Sequence, residues 1–263
     1  MLMLRLILLV FLTLILSSCR YWALYKFADQ FCEFDQNVSV SQQGKNTRID
    51  FLEPVLARTL LLRYLHATPS LTTYTLKNSN NITSVKSDTF LIQRRYPNLK
   101  SSSHEVNSPY PYKIKVGYHL VGDVPLLSVG SLGPKIGQLF SPSVVAPILK
   151  SICSDDYDLS LKRLDMRFIL NNIKTQDLPS QKEFIDVFGR PDKTDKVDKN
   201  VYYYQFDFIK MENEANVFQD RPIKFMFGFG AKGTLDMLHV IYYKYDYWLD
   251  FDRKEGRLIV HRG

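Results

Sequence analysis

Histidine is scarce in this chain, and the five that occur, His66, His104, His119, His239 and His261, are scattered. None forms an H-x-H or H-x-x-x-H pair or stands beside a cysteine, so no transition-metal ligand spacing is present. The nucleophile elbow G-x-S-x-G is also missing, because Ser131 lacks the glycine two residues before it. The acidic cluster Asp155, Asp156 and Asp158 lacks the glycine and distal glutamate of an EF-hand, which leaves it as a solvated loop. One dinucleotide-like spacing does occur, Gly228-x-Gly230-x-x-Gly233. That fingerprint must open a helix, whereas the residues that follow, TLDMLHVIYYKY, have a strand's composition, so a hairpin is expected there. These absences leave no catalytic residue, no metal site and no cofactor to assign. Cysteine is limited to Cys19, Cys32 and Cys153, and no apolar run after residue 16 is long enough to span a bilayer.

What is present begins at the N-terminus. Arg5 precedes an apolar run from Leu6 to Leu16, shorter than the ~20 residues of a spanning helix, and small residues follow. This is the pattern of a secretory signal over residues 1–18. Leu16-Ser17-Ser18-Cys19 is similar to a bacterial lipobox. That resemblance implies lipidation of Cys19 and a lipidated tether over residues 19–46. Arg20, in place of an aspartate, implies sorting to the periplasmic face of the outer membrane. In that compartment the formal charge of +7 points to anionic lipid or lipopolysaccharide phosphates, or to ordinary solvated lysines, and away from nucleic acid. With Cys19 acylated, Cys32 and Cys153 remain in an oxidising compartment, either as a disulfide or as two buried thiols.

The apolar fraction of 45% supports a sizeable core. Over residues 47–154, Leu56, Leu60, Leu61, Tyr64 and Leu65 recur at helical spacing before Pro69. Strands follow at DTFLIQRRYP, at PYKIKVGYHLV with a Gly122-Asp123 turn, and at VPLLSVGSLG. A short helix interrupted by Pro147 then begins near Ser141 or Ser143. Over residues 155–263, LKRLDMRFIL alternates as a strand. Ser180 and Glu183 form a capping box, Phe184, Ile185, Val187 and Phe188 make a buried stripe, and Gly189 and Pro191 stop the helix. Tyr202, Tyr204, Phe206 and Phe208 share one strand face, as do Ile223, Phe225, Phe227 and Phe229, and a last hairpin surrounds Lys254 to Gly256. The expected class is α+β: mostly antiparallel sheets, each packed by a short helix, in two related halves.

The segment from SQKEFIDVFGRPDKTDKVDKNVYYYQF to IKFMFGFGAKGTLDMLHVIYY resembles the SmpA/OmlA (BamE-like) domain of small outer-membrane lipoproteins. The points of likeness are the helix ending at Gly189-Arg190-Pro191-Asp192, the aromatic strand and the later hairpin. The likeness covers residues 160 to 250, and the same two-layer fold occurs in β-lactamase-inhibitor proteins. It implies a scaffold role in envelope assembly or integrity, with an envelope protein as partner, but transfers no partner-binding residue. The alternatives are an envelope hydrolase and an inhibitor-like protein. Tyr203, Tyr242 and Tyr247 are the candidate binding face, set against ordinary cross-strand packing.

Overall fold

A computed structural model describes residue 26 and residues 29–54, 56–77, 83–95, 112–150, 157–158, 163–165, 173–195, 200–212, 215–219 and 221–261. The apolar run, Cys19 and Cys153 lie outside the described residues. No helix among the described residues is long and apolar enough to cross a membrane.

Helix α1 (Phe34–Asn37) leads into strand β1 (Val38–Gln43), which turns back at Gly44 into β2 (Asn46–Phe51). The tether expected through residue 46 is therefore folded from Asp29 onward. Phe31, Phe34 and Val38 are buried against Val40, Ile49, Phe51, Ala146 and Leu149. The strand was hidden because Ser39, Ser41 and both glutamines dilute the period-2 signal of Val38 and Val40.

Helix α2 (Arg58–Leu65) closes at His66, which is left-handed at φ 47°. Strands β3 (Leu71–Lys77), β4 (Thr83–Arg94), β5 (Tyr112–Val121) and β6 (Val124–Leu132) follow, with Gly122 at φ 60° in the expected turn. A one-turn helix α3 (Pro134–Gly137) precedes α4 (Pro142–Lys150). Pro147 lies inside α4 and removes only the intrahelical donor to Ser143.

In the second half come β7 (Tyr157–Asp158), β8 (Arg163–Asp165), a 3-10 turn at Thr175–Asp177 and α5 (Gln181–Phe188). Met166, Phe168 and Leu170 of the expected strand lie outside the described residues. Strands β9 (Lys193–Thr194), β10 (Val201–Glu212), β11 (Ala215–Phe218), β12 (Ile223–Phe229), β13 (Leu235–Tyr242), β14 (Tyr245–Asp250) and β15 (Glu255–Val260) complete the chain. The three glycines of the dinucleotide-like spacing shape the β12–β13 hairpin. Gly233 takes φ 72°, and strand β13 follows it.

The fifteen strands among the described residues join one antiparallel sheet, so the class is α+β and sheet-dominated. The order is β1-β2-β6-β5-β4-β10-β12-β13-β14-β15-β8-β7, with β3 on β4 and both β9 and β11 on β10. The halves meet where β4 pairs with β10, Phe206 opposite Arg94 and Ile209 opposite Leu91. The expected boundary between residues 154 and 155 does not divide the core. Phe90, Tyr112 and Tyr118 share one buried cluster with Phe184, Phe206, Phe227 and Leu249.

Helix α5 is the centre of that cluster. Its N-terminus carries the expected capping box between Ser180 and Glu183. Phe184 meets Phe227 at 4.4 Å between centroids, and Phe188 meets Phe206 and Tyr112 at 5.3 Å each. Phe184, Val187 and Phe188 are buried as expected, and Ile185 only partly.

Candidate binding site

A helix leaves its last carbonyls without intrahelical donors, and cationic donors there also complement the helix dipole. Both principal helices solve this with side chains from other elements: all three on α2 come from the second half, and two of the three on α5 come from the first. On α5, Tyr112 donates to the Val187 carbonyl at 2.9 Å, Arg94 to Phe188 at 2.7 Å and Tyr204 to Gly189 at 2.9 Å. On α2, Tyr245 donates to Tyr64 at 3.3 Å, Tyr242 to Leu65 at 2.7 Å and Arg221 to His66 at 2.7 Å. Each helix end thus receives two tyrosines and one arginine.

Arg94 does more at α5. Its Nη2 lies 2.7 Å from Asp192 Oδ1, both side chains are under 10% exposed, and its guanidinium sits 4.8 Å from the Tyr204 ring centroid. Asp192 also accepts from the Gln205 backbone N–H at 2.7 Å, which ties the loop after α5 to β10. At α2, Arg58 donates to the fully buried Asp88 at 2.7 and 3.0 Å, joined by Thr72 and the Tyr118 hydroxyl. Burial works against the Asp88 carboxylate, but the hydrogen bonds from Arg58, Thr72 and Tyr118 outweigh it and hold its pKa below the usual range.

The end of α2 forms one wall of a cavity of about 520 Å³. Thr59, Leu62, Arg63 and His66 come from one face of that helix and its cap, Ala67 to Pro69 from the loop after it, and Lys210, Gln219 and Arg221 from β10 and the entry to β12. Gln219 fixes the loop by accepting from the Thr68 N–H at 2.9 Å and donating to the Thr68 carbonyl at 2.7 Å. Arg221 is held by the His66 carbonyl and by the Tyr243 ring, 5.3 Å from its guanidinium. Tyr243 in turn packs on His66 with centroids 4.2 Å apart. Burial lowers the His66 pKa, and the nearby charges of Lys244, Arg221 and Arg63 lower it further. Among the described residues no carboxylate lines the cavity, and three of those that do line it are Arg or Lys.

The residues expected from sequence fall elsewhere. Ser180, Glu183, Gly189 and Pro191 build α5 and its exit. Tyr203, Tyr242 and Tyr247 do not form one face. Register places Tyr242 opposite Ile223 and Tyr247 opposite Val240, on the core side with Phe225, whereas Tyr203 points to the other side. Burial pushes the Tyr242 hydroxyl up to about 12, and both Tyr242 and Tyr247 pack against the core. Tyr203 instead reaches Asp195 at 3.3 Å, with Lys193 over its ring. Cys32 is disulfide-bonded, and its partner lies outside the described residues, as do the other two cysteines. Among the described residues no group of three or more His, Cys, Asp or Glu is placed to hold a metal ion.

The cavity was missed because its cations come from residues 63, 210 and 221, and no local motif joins them. The usable signal was the lone His66 before Pro69, at the end of a helix with no glycine stop.

No family model, no curated protein and no solved structure matches the chain.

Proposed function

We propose that this chain is a lipid-anchored binding protein of the cell envelope, tethered through Cys19 to the periplasmic face of the outer membrane. It recognises an envelope component and does not transform it. The observation that carries this reading is the cavity along α2, whose described lining holds Arg63, Lys210 and Arg221, with Arg221 fixed by the His66 carbonyl and the Tyr243 ring. Such a wall holds an anionic group in place, and the tether raises the local concentration of the site beside membrane partners.

The order of α5, its Gly189-Arg190-Pro191-Asp192 exit, the aromatic β10 and the β12–β13 hairpin supports reading residues 160 to 250 as a BamE-like domain. A role in outer-membrane assembly or integrity would follow from that likeness. The tyrosine and arginine caps at α2 and α5 support reading the two halves as related.

Crosslinking and affinity capture from intact envelopes tests the proposal. Recovery of a discrete envelope component at low salt supports it, and recovery of none contradicts it. Labelled palmitate should attach to the full chain and be lost in Cys19→Ala; a label that survives that substitution removes the anchor from the account.

A further inference from the structure

We infer that the cavity at the C-terminal end of α2 is a site for a phosphoryl group. This deepens the binding-protein reading by naming the ligand class of the same site. Arg63, Lys210 and Arg221 reach it from a helix, a long strand and the entry to a second strand, and among the described residues no acidic one lines it. Arg63 and Arg221 are like charges in one concavity, and an anion between them relieves their repulsion. Arg63 is exposed and makes no ion pair among the described residues.

Arg221 spends one side-chain N–H on the His66 carbonyl, and the Tyr243 ring holds its plane. A guanidinium carries five N–H donors, so most of its fork remains for a tetrahedral anion. The Gln219–Thr68 pair holds the loop wall in place, which lowers the ordering cost of binding.

The size and rim of the cavity bear on the source of the phosphoryl group. A volume of about 520 Å³ exceeds that of free phosphate and lies in the usual range for small ligands. An exposed aromatic side chain adjoins its lining: Tyr243, 53% exposed, packs against His66 and Arg221. A phospholipid headgroup with the start of its chains meets both features, whereas inorganic phosphate meets only the first.

The test is calorimetric and NMR titration of the full chain in zwitterionic micelles, with inorganic phosphate in one arm and short-chain phosphatidic acid in the other. Short-chain phosphatidylcholine is the control. The probes are the heat of binding and the His66 ring resonance, whose pKa rises when an anion enters among Arg63, Arg221, Lys210 and Lys244. Phosphatidic acid is expected to bind and to raise the His66 pKa. Arg63→Gln should weaken that binding by about tenfold or more, and added salt should weaken it as well. Response to phosphate alone supports a free-phosphate site, and response to both ligands supports the phosphoryl site in general. Silence in both arms, or binding that Arg63→Gln and Lys210→Gln leave unchanged, overturns the inference. The two proposals fail separately: a partner captured from envelopes with silent titrations sinks only the phosphoryl site, and bound lipid with no captured component sinks only the scaffold reading.

Discussion

Arg94 on β4 and Asp192 after α5 are joined at 2.7 Å in the seam between the two halves. The same guanidinium donates to the Phe188 carbonyl, and Asp192 accepts from the Gln205 backbone, so one pair fixes strand, helix end and loop together. Breaking a buried pair by removing one partner costs about 3–5 kcal/mol. Arg94→Met should therefore lower the free energy of unfolding by that order in urea titration. Asp192→Asn added to it should cost much less than it does alone, because the charge it neutralises has already lost its partner.

Gly189 closes α5 at φ 77° and ψ −171°, a region essentially restricted to glycine. A β-carbon there would also lie 3.4 Å from Arg94 Nη1. Gly189→Ala should cost about 1–3 kcal/mol in thermal or urea unfolding. An unchanged stability would mean that the helix exit is not held as described.

Asp88 sets an acid limit on the fold. Its pKa is lowered in the folded state, because its hydrogen-bond donors outweigh burial. A depressed carboxylate contributes stability above its unfolded value of about 4 and loses it as pH falls through the folded value. Stability should hold down to about pH 4 and then fall. Asp88→Asn should flatten that acid limb while lowering stability at neutral pH, since Arg58 loses its counter-ion.

Tyr242 sets the alkaline limit near α2. Its hydroxyl is pushed up to about 12 by burial and donates to the Leu65 carbonyl. The neutral form is favoured in the folded state, so its contribution is complete below the unfolded value of about 10 and is lost as pH rises toward the folded one. Burial also raises Tyr118, Tyr204 and Tyr247, so ultraviolet titration of Tyr242→Phe should lose one of several late phenols, at a cost of about 1 kcal/mol for the lost hydrogen bond.

Cys32 should be bonded to Cys153. Lys150, at the end of α4, pairs with Asp35 at 2.7 Å and lies 5.1 Å from the Phe34 ring centroid. Cys153 comes three residues after Lys150 in the chain, a reach of about 10 Å. Peptide mapping without reduction should return the Cys32–Cys153 pair, which closes a loop of about 120 residues and is worth about 4–5 kcal/mol in the chain-entropy model. A Cys32–Cys19 peptide would contradict both the pairing and the lipid anchor.

The second half of the fold was legible because its signals are local. The capping box, the glycine stop and the period-2 aromatics of β10 and β12 each lie within a dozen residues. The single sheet was not, because the β4–β10 pairing joins residues 91–94 to 206–209 and no local pattern encodes so distant a register. β1 was hidden by its serines and glutamines. The tyrosine face failed for the same reason as the seam: the side that Tyr242 and Tyr247 occupy is decided by partners on neighbouring strands.

Photo-crosslinking in intact cells tests the central claim most directly. A photoreactive residue replacing Thr59, exposed in the lining of the cationic cavity, should capture one dominant envelope component. The same residue replacing Val124, at the exposed β5–β6 turn, should not. No adduct at Thr59, or the same adduct from both positions, would contradict recognition at this site.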